Sequence, residues 1–411
     1  MPLRIGINAL YLVPGDVGGT EIYLRSLLDT LASIDNVNEY FVYVNSETGA
    51  GLTPLSQNFH SVICPVKARI RTLRIAFEQS GLPFMLARDR IDVVLNPGYT
   101  APLLARCPSV TVFHDLQHKR HPEFFRAVDL PFWNLLLALA AARSSRIIAV
   151  SEATAADLAV YLPVTTGKTR VIPHGVDREF FGIGARRSEG NLPQASRPYL
   201  LTVSTLHPHK NFERLLEAFR RFREVHPDYR LIVAGLKGFA ARRIESLARD
   251  LKLGDAVEFT GWISREKLLG LFEGAHAFIA PSLFEGFGLP VLEAMAAGIP
   301  TACSAIAAFD SLGGDSVLRF DPLSIPAIVE AMEKIATDPL LRARAALDGP
   351  ARARGFDWKL TAAMTLEELV SAAGGAAAGQ PASSEKYSND SRAALSHVKS
   401  RALSRPADES R

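Results

Sequence analysis

Short apolar runs alternate with helical patterns along this chain, and the alternation begins twice. In the first half Arg4–Ala9, Val93–Leu95, Val110–Phe113 and Arg146–Val150 read as strands. After the first comes a loop with Gly15, Gly18 and Gly19, then a helix with Ile22, Leu24, Leu27, Leu28 and Leu31 on its apolar side. Ser151 suits the N-cap of the helix that follows the last of these strands. The second half restarts with a strand at Tyr199–Ser204 and a helix at Phe212–Phe222, then strands at Arg230–Ala234, Val257–Thr260 and Ala277–Ala280. Continuously apolar strands separated by helices require parallel sheets covered on both faces. Two such blocks in 411 residues predict an α/β protein of two doubly wound domains. The expected division is 1–181, a linker at 182–198 rich in Gly, Pro, Ser and charge, 199–355, and a helix at 356–373 crossing back to the first domain. Residues 374–411 lack periodicity and read as a disordered tail.

Composition narrows the function. A formal net charge of +3 gives no global pull toward nucleic acid. Three widely spaced cysteines, Cys64, Cys107 and Cys303, fit neither a disulfide framework nor a zinc site, and suit a reducing cytoplasm. The start lacks a signal pattern, and the longest apolar run, Leu135–Ala142, is too short for a bilayer. Peripheral attachment stays open, because Lys67, Arg69, Arg71 and Arg74 lie beside Ile70, Leu73, Ile75 and Phe77. That pattern fits either a basic amphipathic helix on an anionic membrane or a solvated face.

In parallel sheets ligands bind at the carboxyl ends of strands. The segment after Ala277–Ala280 is the richest. Glu285 and Glu293 bracket Gly286-Phe287-Gly288-Leu289-Pro290, where the glycines allow a sharp turn and Pro290 suits the first helical position. Gly298 and Pro300 end the helix, which places Glu293 in its first turn. The helix start offers unpaired N–H groups to phosphate, and the carboxylates would accept hydrogen bonds from sugar hydroxyls. Phosphate beside two polyols describes a nucleotide sugar.

His207-Pro208-His209-Lys210-Asn211 opens the helix after Tyr199–Ser204. Cations oppose the dipole there, and a pyrophosphate would explain them. His114, beside Asp115 at the end of Val110–Phe113, could meet a sugar hydroxyl or act as acid or base. Gly18-Gly19-Thr20 could turn N–H groups toward an anion. No G-x-G-x-x-G follows the first strand and no G-x-S-x-G occurs, so ordinary dinucleotide and hydrolase fingerprints are absent.

Taken together these residues resemble the retaining glycosyltransferases of family 4, with their GT-B fold and E-x7-E motif at Glu285–Glu293. The likeness extends over about residues 4–370. It includes Gly18-Gly19-Thr20-Glu21, Phe113-His114-Asp115-Leu116, Val150-Ser151, Val171–Asp177, Lys210-Asn211 and Asp321-Pro322. The closest flavour is mannosyltransferases that build bacterial surface polysaccharides. The resemblance implies two Rossmann-like domains facing across a cleft, with the acceptor on the first and the donor on the second. It implies that Glu293 holds the ribose, Glu285 the transferred sugar, and the N–H groups of Phe287, Gly288 and Leu289 the sugar and phosphates. Lys210 would neutralise the diphosphate, Gly19 beside Gly18 would approach it from the other domain, His114 would orient the sugar, and Trp262 and Ile263 would border the base. No metal or other cofactor is expected if Lys210 and the helix ends carry the charge. Many relatives have Arg where this chain has Thr205 or His209, so a charge is missing unless an Arg comes from elsewhere or His209 is protonated beside phosphate. The implied reaction moves a hexosyl unit, with mannose from GDP-mannose favoured, to a glycan or lipid-linked acceptor. A phosphorylase or epimerase on the same fold, or a non-catalytic nucleotide-sugar scaffold, remains open.

Overall fold

The computed structural model describes residues 2–15, 18–191 and 197–374. Seven parallel strands form the first sheet: β1 (Arg4–Ala9), β2 (Glu39–Val44), β3 (Phe59–Ile63), β4 (Val93–Asn96), β5 (Ser109–Phe113), β6 (Arg146–Ala149) and β7 (Thr169–Val171), in the order β3-β2-β1-β4-β5-β6-β7. Six form the second: β8 (Tyr199–Val203), β9 (Arg230–Ala234), β10 (Val257–Gly261), β11 (Ala277–Ala280), β12 (Thr301–Ser304) and β13 (Leu318–Phe320), in the order β10-β9-β8-β11-β12-β13. Ile5, Ile7, Val93, Val110 and Ile148 are fully buried, as strands covered by helices on both faces must be.

Each sheet has one point where the strand order reverses, between β1 and β4 and between β8 and β11. There the outgoing loops diverge and leave a crevice. The glycine loop follows β1, the Lys210 turn follows β8 and the Glu285 segment follows β11.

Helix Arg178–Ser188 occupies the start of the stretch read as a linker, and residues 192–196 of that stretch lie outside the described residues. The tail from 375 onward also lies outside them. Helix Trp358–Ala372 packs on helix Gly19–Ile34 of the first domain. One apolar cluster runs from Leu24 and Leu28 through Ile172, Val176 and Trp358 to Phe287 and Leu289, so the two sheets share a continuous core. Among the described residues no helix is long and apolar enough to cross a membrane.

The basic stretch at 67–77 divides. Lys67, Arg69 and Arg71 are exposed, but Arg74 and Ile75 are buried. Arg74 pairs with the fully buried Glu78 at 3.9 Å, which Asn8 and Thr100 also hydrogen-bond. Helical periodicity turns it inward, so it is withdrawn from the surface-facing set.

Candidate active site

Asn211 assembles the centre. It takes a left-handed φ of 60°, which Asn tolerates better than most side-chain-bearing residues. Its buried side-chain amide donates to the carbonyls of Pro281 at 3.0 Å and Pro322 at 2.7 Å. The Leu283 N–H donates to the His209 carbonyl at 2.7 Å. These bonds clamp the turn after β8 to the segment after β11. Lys210 Nζ consequently donates to Glu285 Oε1 at 2.6 Å, and Ser282 Oγ donates to the same oxygen at 2.7 Å. Lys210 lies in a short turn, Pro208–Lys210, ahead of helix Phe212–Val225 rather than within its first turn.

Helix Leu289–Ala296 begins one residue earlier than the proline suggests, so Pro290 is its second residue and Glu293 lies in its second turn. Gly288 caps it with φ 106°, and a Cβ there would lie 2.4 Å from the Phe309 ring. The N–H groups of Phe287, Gly288 and Leu289 have no hydrogen-bond partner among the described residues, which leaves a row of donors at the helix start. The Phe287 ring itself is buried, 4.7 Å from His174, so only its backbone can face the cleft.

Glu293 is 4% exposed, which excludes a solvated surface helix. Its nearest partner is Arg265 Nη1 at 4.0 Å. Burial pushes its carboxyl up to about 8, Arg265 pulling it down and Asp177 raising it. The folded chain therefore binds this proton more tightly than the unfolded chain. Stability is lost as pH rises from 4.5 to about 8. A Glu293→Gln variant, which cannot ionise, should melt several degrees above the wild type at alkaline pH and lose that margin at acid pH. Parallel melting curves across that range would refute this by showing a constant difference.

The first domain meets this centre through His114. Its ring is buried, and Nε2 lies 2.9 Å from the Pro97 carbonyl, so Nε2 carries the hydrogen and Nδ1 is the acceptor. Burial lowers it to about 4 despite that bond. It is thus a neutral acceptor for a hydroxyl rather than an acid. Across the cleft, Gly286 approaches the His114 carbonyl, and its own carbonyl accepts from Ser151 Oγ at 2.6 Å and Thr154 Oγ1 at 3.3 Å. Ser151 also caps its helix through the Thr154 N–H. Asp115 accepts from Tyr99 Oη at 3.2 Å and the Gln117 N–H at 3.0 Å.

His209 does not replace the missing arginine in this state. Gln117 Nε2 donates to its Nδ1 at 2.6 Å, and burial, then Lys210, His207 and His121, lower it to about 2. Gly19 is the first residue of helix Gly19–Ile34, with Gly18 as its cap at φ 61°. A Cβ on Gly18 would come within 4.0 Å of Thr205, and one on Gly15 within 3.7 Å of Trp262, so this loop faces the second domain. Trp262 is largely exposed and Ile263 partly so, at the end of β10.

No local pattern assigns a role to Ser282, Gln117 or Arg265. Ser282 could be suspected from its closeness to Glu285, whereas nothing local marks Arg265. Among the described residues no group of three or more His, Cys, Asp or Glu side chains could hold a metal ion.

Residues 17–180 match the model for Glycosyltransferase Family 4, and residues 186–352 match that for Glycosyl transferases group 1. O-antigen chain mannosyltransferase B of Escherichia coli is 32% identical over 169 residues, 41% of this chain and 44% of that protein. O-antigen chain mannosyltransferase RfbU of Salmonella typhimurium is 29% identical over 231 residues, 56% of this chain and 61% of that protein. The match thus spans less than two thirds of these relatives. Among solved structures, sucrose-phosphate synthase from Thermosynechococcus elongatus superposes with a TM-score of 0.72 at 21% identity, covering 89% of this chain and 98% of its own. WaaG, a glycosyltransferase involved in lipopolysaccharide biosynthesis, gives 0.68 at 19% identity, covering 89% and 99%. With both halves matched in order and the two-sheet fold shared, the chain belongs to the group 1, family 4 glycosyltransferases of GT-B fold.

Proposed function

We propose that this chain is a retaining hexosyltransferase that moves a sugar, mannose from GDP-mannose being favoured, onto a glycan or lipid-linked oligosaccharide in surface polysaccharide synthesis. The carrying observation is the row of N–H groups at Phe287–Leu289 without partners among the described residues, flanked by the buried Glu293 carboxyl and by the Lys210–Glu285 pair. The O-antigen mannosyltransferases among the relatives favour the sugar and the pathway class.

In this reading Glu293 accepts hydrogen bonds from the ribose, and the helix N–H groups and Lys210 take the diphosphate. Lys210 must then turn from Glu285 toward phosphate, which frees Glu285 to accept from the sugar. The anomeric C–O bond to phosphate breaks as negative charge grows on the departing oxygen, where Lys210 and the N–H row stabilise it. The acceptor hydroxyl attacks from the same face and its proton passes to that phosphate oxygen. Configuration is retained, and no metal is called for because the cation and the helix end supply the charge. Neutral His114 accepts a sugar hydroxyl at Nδ1.

A thermal-shift screen across nucleoside diphosphate sugars tests this, since a ligand of the native state raises apparent stability. GDP-mannose should give the largest shift and support turnover with an acceptor glycan. No shift with any such compound would overturn the reading.

The same reading extends to peripheral attachment on an anionic bilayer. Helices Arg71–Arg88 and Leu130–Arg143 expose Leu73, Phe84, Phe132, Leu135 and Leu139. The Arg71 guanidinium lies 3.9 Å from the Trp133 ring and joins the two helices beside exposed Lys67 and Arg69. Apolar area with basic neighbours suits such a surface. Co-sedimentation with anionic vesicles at low salt should be strong, and its absence would discard the attachment.

A further inference from the structure

Arg265 opens helix Arg265–Gly274, where the dipole disfavours a cation. The Asp177 and Glu179 carboxylates offset this, with the Glu293 carboxyl on a third side. Its guanidinium reaches Glu293 at 4.0 Å, Asp177 Oδ2 at 2.5 Å and Glu179 at 2.9 Å. Its Cζ also lies 4.7 Å from the centroid of the Phe180 ring. The other Asp177 oxygen accepts the indole N–H of Trp358 at 2.9 Å. Trp358 begins the helix that packs on Gly19–Ile34 of the first domain. Its ring lies 5.9 Å from His174 and 6.1 Å from Tyr23, and those rings lie 5.6 Å and 5.0 Å from His114. One chain of contacts therefore runs from Glu293 at one end of the site to His114 at the other, crossing between domains.

Two features make Arg265 more than a surface cation. It is the nearest cation to a buried carboxyl that has no hydrogen bond among the described residues, so it is the group placed to restrain where that carboxyl points. It is also fixed by residues outside its own helix, Asp177 and Glu179 at the start of helix Arg178–Ser188. A multiply held guanidinium has a defined geometry that a lysine could not reproduce.

We propose that Arg265 is a positioning residue. It orients Glu293 toward the ribose hydroxyls of the donor, and through Asp177 and Trp358 it couples that end of the site to the seating of the C-terminal helix on the first domain. This rests on the donor-site reading above.

The test uses the full chain and calorimetric binding of GDP, UDP and 2′,3′-dideoxy-GDP. Variants are Arg265→Gln, Trp358→Phe, which keeps a ring but removes the N–H, and the double variant, each checked for a cooperative melt. The wild type should bind GDP roughly tenfold or more tightly than the dideoxy compound. Arg265→Gln should weaken GDP by about tenfold while leaving the dideoxy compound nearly unaffected, so the preference collapses. A purely structural loss would weaken both equally. Trp358→Phe should weaken GDP about threefold alone and add almost nothing to Arg265→Gln, the non-additivity expected of a shared network. A preference for ribose hydroxyls that survives in a folded Arg265→Gln protein overturns the positioning role. Strict additivity of the two substitutions overturns the link to the C-terminal helix. If the wild type binds neither GDP nor UDP, the donor-site reading itself falls and takes this proposal with it.

Discussion

Replacing Lys210 by alanine is expected to lower sugar transfer by roughly a hundred- to a thousandfold in a protein that still melts cooperatively, the scale seen when one donor is removed from developing negative charge. The geometry explains why the loss falls on turnover. Lys210 sits in a turn clamped by Asn211 and Leu283, and its one side-chain partner among the described residues is Glu285, which Ser282 also holds. Removing the ammonium group leaves Glu285 one hydrogen bond and takes nothing from either core, because the Lys210 side chain packs in neither. His209 adds no charge beside Lys210, because burial first and Lys210 next lower it, and its Nδ1 accepts from Gln117. The measurement is kcat with a nucleoside diphosphate sugar. Turnover equal to the wild type in a folded variant would remove Lys210 from the leaving-group role.

Gly286→Ala is expected to be nearly as damaging for a steric reason. A Cβ at this position would lie 1.8 Å from the His114 carbonyl oxygen and 2.8 Å from its carbon. Both are backbone atoms, so no rotamer relieves the clash. Either the Glu285 turn retreats from the first domain or the Ser151 and Thr154 bonds to the Gly286 carbonyl break. Overpacking of this kind costs roughly 1–3 kcal/mol. A displacement of about 1 Å at the site can cost a hundredfold in rate. Gly270→Ala is the matched control. It is exposed on helix Arg265–Gly274 with nothing within 4 Å of the added methyl, and should be neutral or slightly stabilising. Melting and kcat measured on both variants decide the matter, and a Gly286→Ala enzyme of ordinary activity would show that the two backbones need not meet.

Much of the framework is legible in linear sequence. Arg4–Ala9, Arg230–Ala234 and Ala277–Ala280 form strands with the bounds read from their apolar runs. Ser151 caps its helix through its own side chain, a local interaction that sequence can announce. Five strands escape the sequence reading: β2 and β3, and three whose burial is not written as an apolar run. β7 and β13 carry Arg170 and Arg319 at their centres, and β12 is Thr-Ala-Cys-Ser. They exist because a neighbouring strand supplies the ladder, which no local window contains.

The site divides in the same way. The sequence by itself determined the alternation that imposes two parallel sheets, the glycines and proline that shape the turn before Leu289, and the two glutamates on either side of it. These depend on period, backbone freedom and chain proximity. Only the tertiary structure decided that Lys210 meets Glu285, that His114 is a neutral acceptor, that Arg74 turns inward, and that Arg265 stands over Glu293. Those outcomes depend on which loops a reversal of strand order brings together and on how much water folding removes around each charge. Both are properties of residues distant in the chain.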